Sequence, residues 1–106
     1  MVLTKDFKET IKARARCDHA FRRELLREGI ESMLDGDVDT GKTILRDYIN
    51  ATVGFTELAH AVHRSPKSVM RMFGPNGNPQ AQNLFQIVAY LMDQEGVRFK
   101  LRTAKT

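Results

Sequence analysis

Three groups of side chains in the sequence have the residue types that bind metal ions. His60 and His63 are three residues apart, Cys17 lies close to His19, and aspartates alternate at positions 35, 37 and 39. A structural zinc site needs four closely spaced ligands, usually with paired cysteines, but the chain has a single cysteine. The aspartates lack the glycine and the glutamate of a calcium loop at the required spacing. We therefore expect no metal site and no cofactor.

Catalytic motifs are also missing from the sequence. It contains no Gly-x-Ser-x-Gly motif, no His-Glu-x-x-His motif and no glycine-rich loop of the phosphate-binding type. The glycines at 74–79 are accompanied by two prolines, which is typical of a connector between helices. We therefore expect that the protein is not an enzyme.

Composition and charge limit the remaining function classes. A chain of 106 residues, 42% of them hydrophobic, is suited to one folded domain. No apolar stretch approaches the roughly 18 residues of a membrane span, and no signal-peptide pattern is present, so we expect a cytoplasmic protein without a membrane partner. The segment 28–39 has five acidic and no basic residues, whereas 98–106 has four basic and no acidic residues. This indicates one surface that attracts polyanions, although solvated helix faces and a basic tail would give the same distribution.

Apolar residues at helical spacing predict an all-α fold, a compact helical domain of about six helices over residues 1–106. The first helix is predicted at 4–16 with Thr4 as its cap, and the second runs from the N-cap Asp18 to Leu34. A third helix is predicted at 40–51, with Gly54 after it as a left-handed C-cap.

The C-terminal part of the chain is predicted to contain one long helix. Asn78 as N-cap and Pro79 as the first helical residue define its start, and it extends to about Gln94 before Gly96 ends it. Apolar and basic residues alternate at 97–101, which predicts a short C-terminal strand. Such a strand would pair with its copy in a dimer, or the segment would be an extended tail.

Two short helices predicted at 57–63 and 66–73 together have the pattern of a helix-turn-helix over about 55–73. Thr56 can cap the first helix, and Ser65 followed by a proline gives the second a well-defined start. The residues expected to pack the two helices together are Leu58, Ala59, Val62, Val69, Met72 and Phe73.

The outward face of the second short helix carries Lys67, Ser68 and Arg71, at positions from which a helix-turn-helix reaches base edges and phosphates. An arginine that can donate two hydrogen bonds and short hydroxyl side chains both suit base edges. The pattern therefore predicts sequence-specific binding to double-stranded DNA. Two alternatives remain: a helical protein-interaction module without DNA binding, and nonspecific nucleic-acid binding by the basic tail.

Three positions differ from the general helix-turn-helix pattern. His63 occupies the turn position usually taken by glycine, so it must adopt an unfavourable backbone angle. Arg64 occupies a position where a buried aliphatic residue is common, so its side chain must lie along the surface or reach a phosphate. Glu57 replaces a common glutamine, and a carboxylate is a poor neighbour for a phosphate.

Five segments of the sequence carry a resemblance to a known family. They are residues 3–10 (LTKDFKET), 45–55 (LRDYINATVGF), 65–73 (SPKSVMRMF), 77–79 (GNP) and 83–84 (NL). On these segments the chain resembles the HigA-like addiction-module antidotes, which are antitoxins and helix-turn-helix transcriptional regulators. The resemblance spans nearly the whole chain.

The resemblance implies a dimeric helical domain that binds a palindromic operator and represses its own operon. The resemblance fits both an antitoxin and a free-standing regulator of the same build; an antitoxin would also bind a small ribonuclease toxin of the RelE-like class. The DNA-contacting positions of the family fall on Thr56, Ser65, Lys67, Ser68 and Arg71. Arg64 is a further candidate for a DNA contact.

A homodimer is expected on physical grounds as well, because one short helix contacts too few base pairs to specify a site. Val97, Phe99 and Leu101 would form an apolar edge at the C-terminal end. Phe85 and Tyr90, on the long helix, could add to this interface.

Overall fold

The structure is a computed structural model that describes the backbone of residues 5–106 and all of their side chains except those of 5, 6 and 8. This part of the chain forms six α-helices and no strand, which confirms the prediction of an all-α fold with about six helices. The helices are α1 (Lys5–Cys17), α2 (His19–Leu34), α3 (Val38–Ala51), α4 (Phe55–Ala61), α5 (Pro66–Met72) and α6 (Ala81–Glu95). The predicted cap Thr4 lies outside the described residues.

The starts of α2 and α3 are set by aspartate side chains. The backbone N–H of Phe21 donates to Oδ1 of Asp18 at 3.0 Å, which confirms Asp18 as the N-cap of α2. Asp37 caps α3 in the same way, accepting from the N–H of Thr40 at 3.2 Å. The predicted start of this helix at residue 40 was therefore wrong by two residues, because the capping aspartate lies earlier in the chain.

The start of α6 also differs from the prediction. The residue that precedes the helix is Gln80, whose side chain makes no capping hydrogen bond, so Asn78 and Pro79 are neither N-cap nor first helical residue. The segment 78–80 has no regular structure and connects the preceding turn to the helix. The predicted end is confirmed, because Gly96 adopts the left-handed conformation with φ 72°.

The core lies where α2, α3, α4, α5 and α6 meet. Its largest fully buried side chains are Tyr48, Leu26, Leu45, Ile49, Leu58, Ile87, Leu91 and Val69. Helices α2 and α3 approach closely at two glycines: a Cβ atom on Gly29 would lie 2.8 Å from Cδ2 of Leu45, and one on Gly41 would lie 2.9 Å from the carbonyl oxygen of Gly29. A larger residue at either position would therefore require the neighbouring side chains or the helices themselves to shift.

The C-terminal segment after Gly96 has no regular secondary structure, so the predicted strand at 97–101 was wrong and the extended-tail alternative describes it. A strand needs a neighbouring strand, and the described part of the chain provides none. Instead, Phe99 packs against the core. Together with Leu101 and with Ile30 and Leu34 of α2, it lines a groove of about 560 Å³.

No helix among residues 5–106 is long and apolar enough to cross a membrane.

Candidate nucleic-acid interface

Helices α4 and α5 are joined by the four residues 62–65 and pack against each other through small and apolar side chains. Leu58, Ala59 and Val69 are fully buried. The rings of Phe55 and Phe73 lie 6.2 Å apart, centroid to centroid, with their planes tilted by 55°. This arrangement confirms the predicted packing of the two short helices.

The turn between the two helices contains a residue in the left-handed backbone region. His63 has φ 58°, the one positive φ of a non-glycine residue in the described chain, as its place in the turn predicts. The backbone N–H of Arg64 donates to the carbonyl oxygen of Ala59 at 2.9 Å, which closes the turn. The turn that orients α5 relative to α4 therefore includes one unfavourable backbone angle.

The start of α5 agrees with the prediction from the sequence. The Oγ atom of Ser65 accepts a hydrogen bond from the N–H of Ser68 at 3.1 Å, and Pro66 is the first helical residue. Lys67 and Arg71 are exposed, whereas Ser68 is half-buried. Met70 lies on the same exposed side, and 53% of its surface is accessible. This surface therefore presents two cations and one apolar side chain to solvent.

The start of α4 differs from the prediction. Gly54 is the N-cap, with φ 81° and no side-chain hydrogen bond, so Thr56 lies inside the helix and does not cap it. The helical hydrogen bonds already begin at Gly54, whose carbonyl oxygen accepts from the N–H of Leu58 at 3.1 Å. Gly54 is also not the C-cap of α3, since that position is Thr52. The Thr56 side chain is exposed near the start of α4.

Arg64 is held at the surface by a side chain of α6. Its Nη2 atom lies 2.5 Å from Oδ1 of Asn83, in the first turn of that helix. The guanidinium group therefore links the turn of the helix-turn-helix to α6. A DNA contact by Arg64 would have to use the remaining donors of the group or exchange this hydrogen bond.

Two buried polar residues that hold these helices in place were not identified from the sequence. Lys42 of α3 donates to backbone carbonyls of the turn after α5, and Glu95 at the end of α6 accepts from Arg22 and Tyr48. These partners are between 32 and 73 residues apart along the chain, so no local pattern indicates them. The only signal in the sequence was that Lys42 and Glu95 are each a charged residue on the otherwise apolar face of a helix.

The buried carboxylate of Glu95 affects the ionisation of its surroundings. Burial raises the pKa of Glu95, but hydrogen bonds from Arg22 and Tyr48 and the charge of Arg22 outweigh it, so the pKa lies below its usual value. Burial also raises the pKa of Tyr48, and the hydrogen bond to Glu95 adds to this effect. Glu95 is therefore charged and Tyr48 is neutral at pH 7.

No family model matches the chain, and no characterised protein or solved structure shows significant similarity to it. Among the side chains that the structure describes, no group of three or more histidine, cysteine or acidic residues is arranged to hold a metal ion. A functional assignment therefore depends on the geometry and chemistry of the chain's own residues.

Proposed function

We propose that this protein is a sequence-specific DNA-binding transcriptional regulator that places α5 in the major groove. The observation that carries the proposal is the geometry of α5. The helix is packed on α4 through Val69 and begins directly after its N-cap Ser65, while Lys67 and Arg71 are exposed on it without an ion pair to any described residue. A helix held by its neighbour, with exposed cations on one side, suits the shape and charge of the groove.

Each exposed side chain of this surface has a chemical role in the proposal. Arg71 can donate two hydrogen bonds to the O6 and N7 atoms of a guanine, and Met70 can contact a thymine methyl group. Lys67 neutralises a phosphate. The hydroxyl groups of Ser65 and Thr56 can donate to phosphate oxygens, which fixes the position of the protein without reading the sequence.

The proposal includes a homodimer on a palindromic operator. Two recognition helices related by a two-fold axis would contact half-sites about 34 Å apart, one turn of B-DNA. Following the resemblance to HigA-like antidotes, we further propose that the protein is an antitoxin that represses its own operon and binds a RelE-like ribonuclease toxin. Such a regulator acts in the cytoplasm, where the DNA of a bacterial cell lies.

Selection from a pool of random duplexes tests the DNA-binding part of this proposal. The wild-type chain should enrich one palindromic sequence, and a Lys67→Ala, Arg71→Ala double variant should enrich none. The double variant is a suitable control because both side chains are exposed, so we expect it to keep the wild-type fold. A wild-type chain that enriches no sequence would show that α5 does not read DNA.

The antitoxin part needs a separate experiment. The product of the neighbouring reading frame is expressed alone and together with this protein. The antitoxin proposal is supported if the neighbouring product is a small protein that stops growth when expressed alone but not when co-expressed with this protein. If the neighbouring product does not stop growth, this protein is a regulator without a toxin encoded beside it.

A protein-interaction module is the second candidate function. It is favoured by Phe85, which lies on α6 with 65% of its surface accessible. Large exposed aromatic side chains are enriched at protein interfaces. This alternative would be supported if the chain enriches no duplex but forms a complex with a different protein, and if Phe85→Ala abolishes that complex.

A further inference from the structure

The turn that follows α5 is joined to α3 by a buried ammonium group. Lys42 is only 5% exposed. Its Nζ atom lies 2.7 Å from the carbonyl oxygen of Gly77 and 3.2 Å from that of Gly74. The nearest carboxylate, that of Asp39, is 3.7 Å away and its side chain is 93% exposed. The two backbone carbonyls are therefore the main partners of the ammonium group.

The same turn is in close contact with the C-terminal end of α5. A Cβ atom on Gly77 would overlap the carbonyl oxygen of Arg71 and would lie 2.7 Å from that of Met72. The N–H of Gly74 donates to the carbonyl oxygen of Arg71 at 3.1 Å, and the N–H of Gly77 donates to that of Gly74 at 3.0 Å. A displacement of the turn would therefore move the last residues of α5.

The residue type at position 42 needs an explanation, because burying an ammonium group is unfavourable unless its donors are satisfied. A methionine or leucine would fill the same space without that cost. Neither could donate to the carbonyl oxygen of Gly77, which accepts no other hydrogen bond from the described residues. What lysine adds at this position is a donor that reaches from α3 to the turn.

We infer that Lys42 is a positioning residue for α5: its ammonium group fixes the turn 74–77 against α3 and so sets the orientation of Arg71 toward DNA. The inference rests on the proposed function, because the orientation of Arg71 affects binding only if α5 reads DNA. Lys42 itself is buried and does not touch the DNA in this arrangement.

The test compares two variants with the wild-type chain. Lys42→Met keeps the length of the side chain and removes its donors, whereas Ile30→Ala removes core packing from α2. The wild-type chain first selects a duplex from a random pool. Each variant is then titrated with this duplex and with a scrambled duplex, at a temperature where it is fully folded.

We expect Lys42→Met to bind the selected duplex about tenfold more weakly, as for the loss of one base contact, and the scrambled duplex equally well. Ile30→Ala should keep the wild-type affinity for both duplexes. Unchanged affinity of Lys42→Met for the selected duplex would overturn the inference.

Hydrogen exchange separates positioning from a general loss of stability. In Lys42→Met, the amides of Gly74, Gly77 and α5 should exchange faster, while those of α2 keep their wild-type rates. A uniform increase over the whole chain would also overturn the inference. If the wild-type chain selects no duplex, the proposed function fails, and the exchange rates alone decide whether Lys42 holds the turn.

Discussion

Arg22 on α2 and Glu95 at the C-terminal end of α6 form an ion pair across the helical bundle. The Nε atom of Arg22 lies 2.8 Å from Oε1 and 2.9 Å from Oε2 of Glu95, whose side chain is only 3% exposed. The hydroxyl group of Tyr48 on α3 donates to the same carboxylate at 2.5 Å. One carboxylate therefore joins three helices, and the stability of the bundle should depend on its charge.

The first prediction is that Glu95→Gln lowers the free energy of unfolding at pH 7 by about 1–3 kcal/mol, because it leaves the partly buried guanidinium group of Arg22 without its counterion. Because the pKa of Glu95 is lower in the folded than in the unfolded protein, its stabilising contribution is fully present above the usual value of 4.5. This contribution is lost as the pH falls through the lower, folded-state pKa. Urea unfolding between pH 3 and pH 7 measures both effects.

Glu24→Gln is the matched control for this prediction. Glu24 also pairs with an arginine, Arg27, at 2.5 Å, but both side chains are exposed, so the substitution should have little effect on stability. Two results would contradict the role of the buried carboxylate. One is an equal loss of the free energy of unfolding in the two variants. The other is a free energy of unfolding that depends on pH in Glu95→Gln as it does in the wild type.

The second prediction concerns the packing of α4 on α5. Leu58→Ala and Val69→Ala should each lower the free energy of unfolding by roughly 1–4 kcal/mol, because both side chains are fully buried between the two helices and the core. Denaturant unfolding measures the loss. Thr56→Ala, at an exposed position of α4 that does not cap the helix, should change stability little. Unfolding midpoints equal to that of the wild type for Leu58→Ala and Val69→Ala would refute the packing.

The third prediction concerns the left-handed residue of the turn. His63→Gly should stabilise the protein by about 0.5–1 kcal/mol, because the relief of strain at φ 58° exceeds the greater backbone entropy of glycine in the unfolded chain. His63→Val should destabilise it, because a β-branched residue is strained further in this region. Thermal unfolding of both variants gives the sign, and a lower midpoint for glycine than for histidine would show that the turn is not strained.

The fourth prediction separates the two exposed cations of α5. Arg71→Ala should weaken binding to the selected duplex by about 1–3 kcal/mol and relax the preference for one base, whereas Lys67→Ala should weaken binding to all duplexes and lower the salt dependence. Titrations with selected and random duplexes at several salt concentrations measure these differences. Unchanged binding in both variants would mean that another surface contacts the DNA.

The fifth prediction concerns the expected dimer. Phe99 packs against the core of its own chain, so the exposed Phe85 of α6 is a better candidate for the interface than Phe99. Phe85→Lys should convert a dimer to a monomer in light scattering at micromolar concentration, whereas Met70→Lys, at another exposed apolar position, on α5, should not. A wild-type monomer would refute the dimer, and a dimer that survives Phe85→Lys would place the interface elsewhere.

The comparison of sequence and structure shows which features are local. The start of α5 depends on Ser65 and the proline that follows it, so two consecutive residues were enough to predict it. The start of α6 was misplaced because its N-cap, Gln80, makes no side-chain capping hydrogen bond and therefore leaves no capping pattern in the sequence. Lys42 and Gly74 are 32 residues apart, and Arg22 and Glu95 are 73 residues apart. Side chains that meet only in the folded bundle leave no periodic pattern.

The paired glycines at the crossing of α2 and α3 have a consequence for folding. Glycine lowers the helical propensity of a segment by about 1 kcal/mol, so Gly29 and Gly41 weaken each helix in isolation. The close approach that they permit provides the compensating packing only when both helices are present. We therefore expect separate peptides of 19–34 and 38–51 to be largely unstructured in water and one peptide of 19–51 to be helical, which would make this helical hairpin a cooperative unit.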